Sequence, residues 1–314
     1  MTSAASLNKP KLSVVIVTYQ SRATIARALD PLAQAAADGW LECIVVDNRS
    51  ADGTADFVSA SWPWVRLVRS EENLGFGKGC NRGFSIARSD YVLFLNPDAS
   101  IEVKDLEILL RTLEKEDRAC IAAPATAVGN GAFQMAGMLL TPRGLLMSSF
   151  NGGVRTFPHR KPVKPGEQSF ATNWVCGAIM LFRSNVFREL GGFDPRYFLY
   201  FEETDLCLRA TRAGYQILGV GEAVAEHVCG SSARASGAEL EAGCIAEHYY
   251  TSRFYYLRKN FGLPRALAAE IGSATFTCLK FVLKRLSGRP ADTAGQFWTR
   301  PFLRLPDETM DLRG

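Results

Sequence analysis

The chain has 314 residues, 47% of them hydrophobic and 22% charged, with a formal net charge of +4. That length and balance fit a soluble α/β protein of one large domain with an appendage, or two small domains. The slight positive charge gives no reason to invoke nucleic acid. The eight cysteines lack a C-x-x-C pair and sit mostly in apolar runs, where free Cys is a small core residue, so a reducing cytoplasm is the expected compartment.

Residues 1–11 are polar without an apolar signal core and read as a flexible N-terminus. Leu12 to Thr18 (LSVVIVT) reads as a fully buried strand, followed by a helix capped by Ser21 with Ile25, Leu29 and Leu32 on one face. Leu41 to Val46 is a second strand ending at Asp47-Asn48-Arg49-Ser50. Thr54 caps a short helix, and Val65 to Val68 supplies a third strand. Strands alternating with helices predict a parallel sheet with right-handed crossovers.

The glycine-dense run Asn73 to Gly83 (NLGFGKGCNRG) matches neither G-x-G-x-x-G in register nor a P-loop. It reads as a loop entering a helix over Lys78 to Ala87, either a tight turn or a close backbone approach to a ligand. Tyr91 to Leu95 is a buried strand stopped by Asn96-Pro97-Asp98, since proline cannot donate to a sheet ladder. That turn puts an amide and a carboxylate at the strand end where open α/β sheets bind ligands. Asp98 suits a hard cation that also takes water and phosphate oxygens; an Asx turn is the competing explanation.

Leu106, Leu109, Leu110 and Leu113 mark an amphipathic helix, and Cys120 to Ala123 another strand. Asn151 to Gly166, rich in Gly, Pro and base, reads as a solvated loop or as a mobile basic lid over a phosphate-bearing donor. Trp174 to Phe182 reads as one buried strand, with Ser184 capping a short helix. Glu202, Glu203 and Asp205 crowd the start of a helix over Thr204 to Ala213, where the helix dipole favours ionised carboxylates and a general base is plausible. Tyr215 to Val220 is a last strand, with His227 just beyond it, suited to metal ligation or to a structural hydrogen bond. From Glu239 the chain reads as helical, broken at Gly262-Leu263-Pro264. Ala266 to Leu286 is apolar but interrupted by Glu270, Lys280 and Lys284, which argues against a membrane span. Its basic flanks suit a helix lying on an anionic membrane, or one packed on the catalytic domain or a second subunit.

Six segments in order, VVIVTYQS, VVDNRSADGT, NLGFGKGCNRG, FLNPD, WVCGAIMLFR and GGFDPRYFLYFEETDLCLR, resemble the family 2 glycosyltransferases of GT-A fold, particularly their rhamnosyltransferase-like branch. The resemblance covers Leu12 to Tyr256. It implies an α/β fold with a Rossmann-like, mostly parallel sheet, helices on both faces and a C-terminal helical extension. The implied division is a catalytic domain over 12–235 (nucleotide half about 12–125, acceptor half about 126–235), an extension over 236–287 and a tail over 288–314. Thr18, Tyr19, Asp47, Asn73, Lys78 and Asn96 would then line the nucleotide site. Asp98 and His227 would hold Mg²⁺ or Mn²⁺, and Trp174 and Gly177 would shape the cleft between donor and acceptor.

The family's base position usually reads Glu-Asp; here it reads Glu202-Glu203, so Glu203 takes the expected aspartate's place, ahead of Glu202 and Asp205. A longer side chain shifts the carboxylate by more than an ångström, enough to lower a rate unless the backbone compensates. The implied reaction is inverting transfer from a nucleoside-diphosphate sugar, dTDP-rhamnose or a UDP-sugar, to a hydroxyl of a glycan or lipid-linked glycan, on the cytoplasmic face of the inner membrane. A homodimer through the C-terminal helices is also compatible. A sugar nucleotidyltransferase would need a glycine- and arginine-rich loop after the first strand, where Thr18-Tyr19-Gln20-Ser21 stands. An inactive nucleotide-sugar-binding protein is favoured only by the Glu-Glu substitution.

Overall fold

A computed structural model describes residues 9–128, 131–150, 160–228 and 242–287, with side chains in the last segment from residue 247. The first half builds β1 (Leu12–Thr18), α1 (Ile25–Leu29), α2 (Ala33–Ala37), β2 (Leu41–Asp47), α3 (Thr54–Ser61), β3 (Arg66–Arg69) and α4 (Phe76–Phe84). Then come β4 (Tyr91–Leu95), β5 (Ala99–Ile101), α5 (Val103–Lys115), β6 (Ala119–Ala127), β7 (Met135–Gly137) and α6 (Pro142–Phe150). The second half adds β8 (Arg160–Pro162), β9 (Phe170–Thr172), β10 (Trp174–Val175), β11 (Ile179–Arg183), α7 (Ser184–Glu189), α8 (Glu202–Arg212) and β12 (Gln216–His227). Two long helices close the described chain, α9 (Ala242–Phe261) and α10 (Leu263–Leu286).

The main sheet runs β3-β2-β1-β4-β11-β6-β12-β5, with β9 also on β12. Strands β3, β2, β1 and β4 are mutually parallel, as are β6 and β12; β11, β5 and β9 run against their neighbours. Period-two alternation sends Val14, Ile16, Val45 and Leu93 to a core shared with Ile25, Leu29, Leu106 and Leu109. Val15, Val17, Val46 and Phe94 face the opposite core with Cys80, Phe187 and Leu206. Helices therefore cover both faces, as expected of strands apolar on both sides. A third cluster joins Tyr197, Phe201 and Leu208 to Tyr255, Tyr256, Leu257 and Ala266, so α9 and α10 are packed against the segment that carries α8.

Several local expectations change. Ser21 starts its helix with a backbone carbonyl that accepts from the Thr24 and Ile25 amides, and its side chain caps nothing. At α3 the capping group is Asp52, whose Oδ1 accepts from the Thr54 amide and hydroxyl. Ser184 is the first residue of α7 and gives it no side-chain cap. The glycine-rich run begins its helix two residues early, at Phe76, and what its glycines approach is protein: a Cβ at Gly79 would stand 2.8 Å from Val17, and Gly83 lies as tightly on Val15. The run Trp174 to Phe182 is two strands in two sheets, parted at Cys176-Gly177-Ala178. Of the expected loop, 151–159 lie outside the described residues, whereas Arg160–Pro162 pairs with Met135–Gly137 as an edge strand. His227 is the last residue of β12, which continues past Val220 through a register shift.

Candidate active site

The chain winds outward from β1 through β2 and β3 before returning to β4 on the other side of β1. That reversal leaves a crevice beyond the C-terminal ends of β1 and β4, the position where open α/β sheets bind ligands. Three groups of residues border it.

The first group closes the ends of β1 and β2. Thr18 Oγ1 donates to Asp47 Oδ1 at 2.9 Å, and the Ser50 amide donates to Oδ2 at 2.9 Å. Gln20 Oε1 accepts from the amides of Ala51 and Asp52. Asp47 is buried and each of its oxygens already accepts one bond, so it can face a base only with its remaining lone pairs. Tyr19 is exposed beside it. Asn73 Oδ1 accepts from the Gly75 amide at 3.0 Å. Asn48 Nδ2 donates to the Gly75 carbonyl at 3.0 Å, a contact no sequence signal indicated. Gly75 has φ +78°, and the Phe198 carbonyl fills the place of a Cβ, so only glycine fits. Lys78 stands half-buried in the first turn of α4.

The second group is the Asn-Pro-Asp turn. The Asn96 amide donates to the Ala178 carbonyl at 2.9 Å, and the Ala99 amide closes the turn on Asn96. Antiparallel pairing of β5 with the end of β12 then sets Ala99 opposite His227. As a result His227 Nε2 lies 3.1 Å from Asp98 Oδ1 and 3.3 Å from Asn96 Nδ2. The other ring nitrogen, Nδ1, meets Gln134 Nε2 at 2.8 Å. Nothing in the sequence marked Gln134.

The third group holds the paired glutamates. Trp174 Nε1 donates to Thr204 Oγ1 at 3.0 Å and to Glu203 Oε1 at 3.3 Å, and Thr204 Oγ1 donates to the same carboxylate at 3.0 Å. The Arg160 guanidinium lies over the Trp174 ring, 3.9 Å from its centroid. A Cβ on Gly177 would stand 3.2 Å from Glu203 Cβ, so a side chain there would crowd the glutamate. Gly177, which Glu203 packs against, directly precedes Ala178, the residue that anchors Asn96, so one short loop touches both the glutamate and the Asn-Pro-Asp turn. Burial pushes the Glu203 carboxyl above its ordinary range, against the lowering effect of its bonds from Thr204 and Trp174. Glu202 is pushed up further by burial and by the Glu203 charge, and its Oε2 has no hydrogen-bond partner.

Asp205 has a different position. It is fully buried and bonded to Lys259 at 2.7 Å, Arg209 at 2.8 Å and Asn260 at 3.0 Å, so its oxygens tie α8 to α9 and leave none for a substrate. The two residues preceding α8, Tyr200 and Phe201, have φ of +69° and +67°. With Gln20 and Arg49 they are the non-glycine residues in the left-handed region among the described residues, and all four lie on loops around the crevice. Such backbone persists only where its surroundings over-determine it.

Among the described residues no three His, Cys, Asp or Glu side chains form a metal cluster. Asp98 and His227 still fit a cation that completes its shell with water and phosphate oxygens. Two neighbouring ligands of an octahedral ion at about 2.1 Å stand about 3.0 Å apart, close to the 3.1 Å between Asp98 Oδ1 and His227 Nε2.

The mixed, curled α/β sheet with helices on both sides is that of the GT-A fold. Solved structures bear the fold out: a mannosyltransferase from Pyrobaculum calidifontis in complex with GDP-Man and Mn²⁺ has TM-score 0.53 at 17% identity, covering 86% of this chain and 75% of that one. GalNAc-T7 with UDP, GalNAc and Mn²⁺ has TM-score 0.55 at 15% identity, covering 90% and 59%. Residues 13–191 match the family model for glycosyl transferase family 2, and the chain belongs to that family. An N-acetylglucosaminyl-diphospho-decaprenol L-rhamnosyltransferase of Mycobacterium tuberculosis is 28% identical over 275 residues, 81% of this chain and 87% of that one. Rhamnosyltransferase WbbL of Escherichia coli is 30% identical over 146 residues, 42% and 49% of the two chains.

Proposed function

We propose that the protein transfers a sugar, with inversion, from a nucleoside-diphosphate donor to a hydroxyl of a lipid-linked cell-surface glycan precursor. Rhamnose from its thymidine diphosphate is the first choice of donor, on the strength of the rhamnosyltransferase relatives, and a uridine-linked sugar the second. The observation that carries the reading is the Glu203 carboxylate, held by Trp174 and Thr204 against Gly177, one residue from the Ala178 carbonyl that anchors the Asn-Pro-Asp turn.

Glu203 accepts the proton of the acceptor hydroxyl as that oxygen attacks the anomeric carbon. A carboxylate whose affinity for protons is raised by burial is a better base near neutral pH than an exposed one. Glu203 gains reach from its extra methylene, and the missing side chain at Gly177 accommodates it. Trp174 orients the carboxylate through its indole N–H. Lys78, half-buried in the first turn of α4, supplies a positive charge that favours the diphosphate. Asp98 and His227 would hold a divalent cation, which when bound offsets the charge that develops on the departing diphosphate.

The exposed face of α10 supports a place on the cytoplasmic surface of a membrane. Ile271, Leu279, Val282, Leu283 and Leu286 are exposed, with Lys280, Lys284 and Arg285 among them. The helix is long and apolar enough to cross a bilayer, but the exposed cations of its last turn, Lys284 and Arg285, suit the interface.

The deciding experiment is Glu203→Gln, assayed for donor consumption with a lipid-linked acceptor. A loss of about 10²–10⁴-fold in kcat with little change in donor affinity is expected. Activity within threefold of the unaltered enzyme would remove Glu203 from the reaction.

A further inference from the structure

We infer that Gln134 is a positioning residue that sets the tautomer of His227 and thereby decides whether that imidazole can ligate a cation. The inference rests on the proposed Asp98–His227 metal site and concerns a residue outside it.

In the structure Gln134 Nε2 faces His227 Nδ1 at 2.8 Å, while Nε2 of the ring faces Asp98 Oδ1 at 3.1 Å. An amide nitrogen only donates and a carboxylate only accepts. Of the two neutral tautomers, the one with its proton on Nε2 satisfies both of these contacts: Nδ1 accepts from Gln134 and Nε2–H donates to Asp98, and the longer 3.3 Å approach of Asn96 Nδ2 is then left without a hydrogen bond. That ring has no lone pair to offer on the side where Asp98 lies.

Ligation through Nε2 needs the other tautomer, with the proton on Nδ1. A half-turn of the Gln134 amide supplies what that tautomer requires, since Oε1 then accepts from Nδ1–H. Asn96 Nδ2, 3.3 Å from Nε2, is placed to donate to the bare nitrogen until a cation takes it. No net proton is gained or lost: one leaves Nε2 and one joins Nδ1. A glutamine suits both states because one side chain carries both donor and acceptor, whereas leucine would serve neither and glutamate only the second.

The main chain of Gln134 is pinned. Its amide donates to the Thr126 carbonyl at 2.8 Å, and its carbonyl accepts from Val163 at 3.1 Å. The side-chain amide is the part left to turn. Outer partners that orient a ligating histidine typically change metal affinity by about 10–100-fold when removed.

The test measures Mn²⁺ affinity by electron paramagnetic resonance of the free ion, in the presence of thymidine diphosphate, for the unaltered full chain, Gln134→Leu and Gln134→Glu. The expected result is at least about 10-fold weaker binding in Gln134→Leu and affinity equal to or above the unaltered protein in Gln134→Glu. Equal affinity in Gln134→Leu, or an equal loss in both variants, overturns the inference while leaving the metal site standing. Absence of Mn²⁺ binding by the unaltered protein overturns the metal reading and this inference together. Nitrogen chemical shifts of the imidazoles provide an arm independent of any variant: His227 should carry Nε2–H without metal and Nδ1–H with Mg²⁺ and thymidine diphosphate. An Nε2–H ring at Mg²⁺ saturation overturns it as well.

Discussion

The two acidic segments that carry Asp98 and Glu203 are built in opposite ways. Asp98 is placed by sheet ladders on both sides: β4 brings the chain in, β5 pairs with the end of β12, and the backbone stays in ordinary conformations. Glu203 instead follows two aromatic residues in left-handed backbone, a conformation that bulky side chains seldom adopt. Packing from a distant part of the chain holds it there. Ser252 Oγ donates to the Leu199 carbonyl at 2.8 Å, Tyr249 lies against Phe201, and Lys259 bridges Asp194 and Asp205. One acid thus depends on local hydrogen bonding and the other on the C-terminal helices, which makes α9 part of what positions the proposed base.

Cutting the tie between α8 and α9 should have the largest effect on stability. Asp205→Ala removes one partner of a buried ion-pair network and should cost about 3–5 kcal/mol, seen as a large fall in the denaturation midpoint. Asp98→Ala, at the ladder-built turn, should cost about 1 kcal/mol or less while weakening Mn²⁺ binding. Equal losses of stability would abolish the contrast.

A second test exploits Glu202. Its raised folded pKa means that the folded chain binds more protons than the unfolded one above the ordinary carboxylate range. Stability therefore falls as pH rises through that window. Glu202→Gln, a mimic of the protonated form, should raise Tm by about 2–4 °C at pH 8, the shift that roughly 1 kcal/mol produces in a domain of this size. The gain should vanish near pH 4. Asp194 has the opposite sign: burial raises its pKa, but hydrogen bonds from Arg196 and Lys259 outweigh that and hold it well below the usual range. Its contribution is complete above the ordinary carboxylate pKa and is lost as pH falls toward the folded value. In Asp194→Asn the Tm deficit should therefore be largest at neutral pH and narrow in acid.

Smaller still, Tyr200→Gly relieves left-handed strain and should change stability by no more than about 1 kcal/mol. It should nevertheless lower kcat, because the start of α8 is no longer fixed. Unchanged kcat would separate the strain from the base.

The buried strands were legible because Leu12 to Thr18 and Tyr91 to Leu95 are apolar on both faces and end in residues that cannot continue a strand. Asp98 and the glutamate pair could be located for the same reason: each directly follows such a segment or opens a helix. What escaped detection depends on partners far along the chain. The continuous apolar run Trp174 to Phe182 gives no sign of breaking at Cys176-Gly177-Ala178, since its two halves pair with different, distant strands. Phe201 fixes the start of α8 two residues before the apolar pattern does, through its backbone conformation. Gln134 sits in an irregular stretch with no periodicity, and only pairing of that stretch with Thr126 and Val163 brings it to His227. The helical reading of the C-terminus held because its breaks, at Gly262 and Pro264, are local.

The central claim is that a half-buried glutamate, displaced toward weaker acidity, takes the acceptor proton. The pH dependence of kcat/KM measures it most directly. Between about pH 5 and 9 the rate should climb with pH through an apparent pKa well above the roughly 4.3 of an ordinary glutamate, and Trp174→Phe, which deletes a hydrogen bond to the ionised form, should move that limb to higher pH. A profile flat across the whole range, or a limb that Trp174→Phe leaves in place, would contradict it.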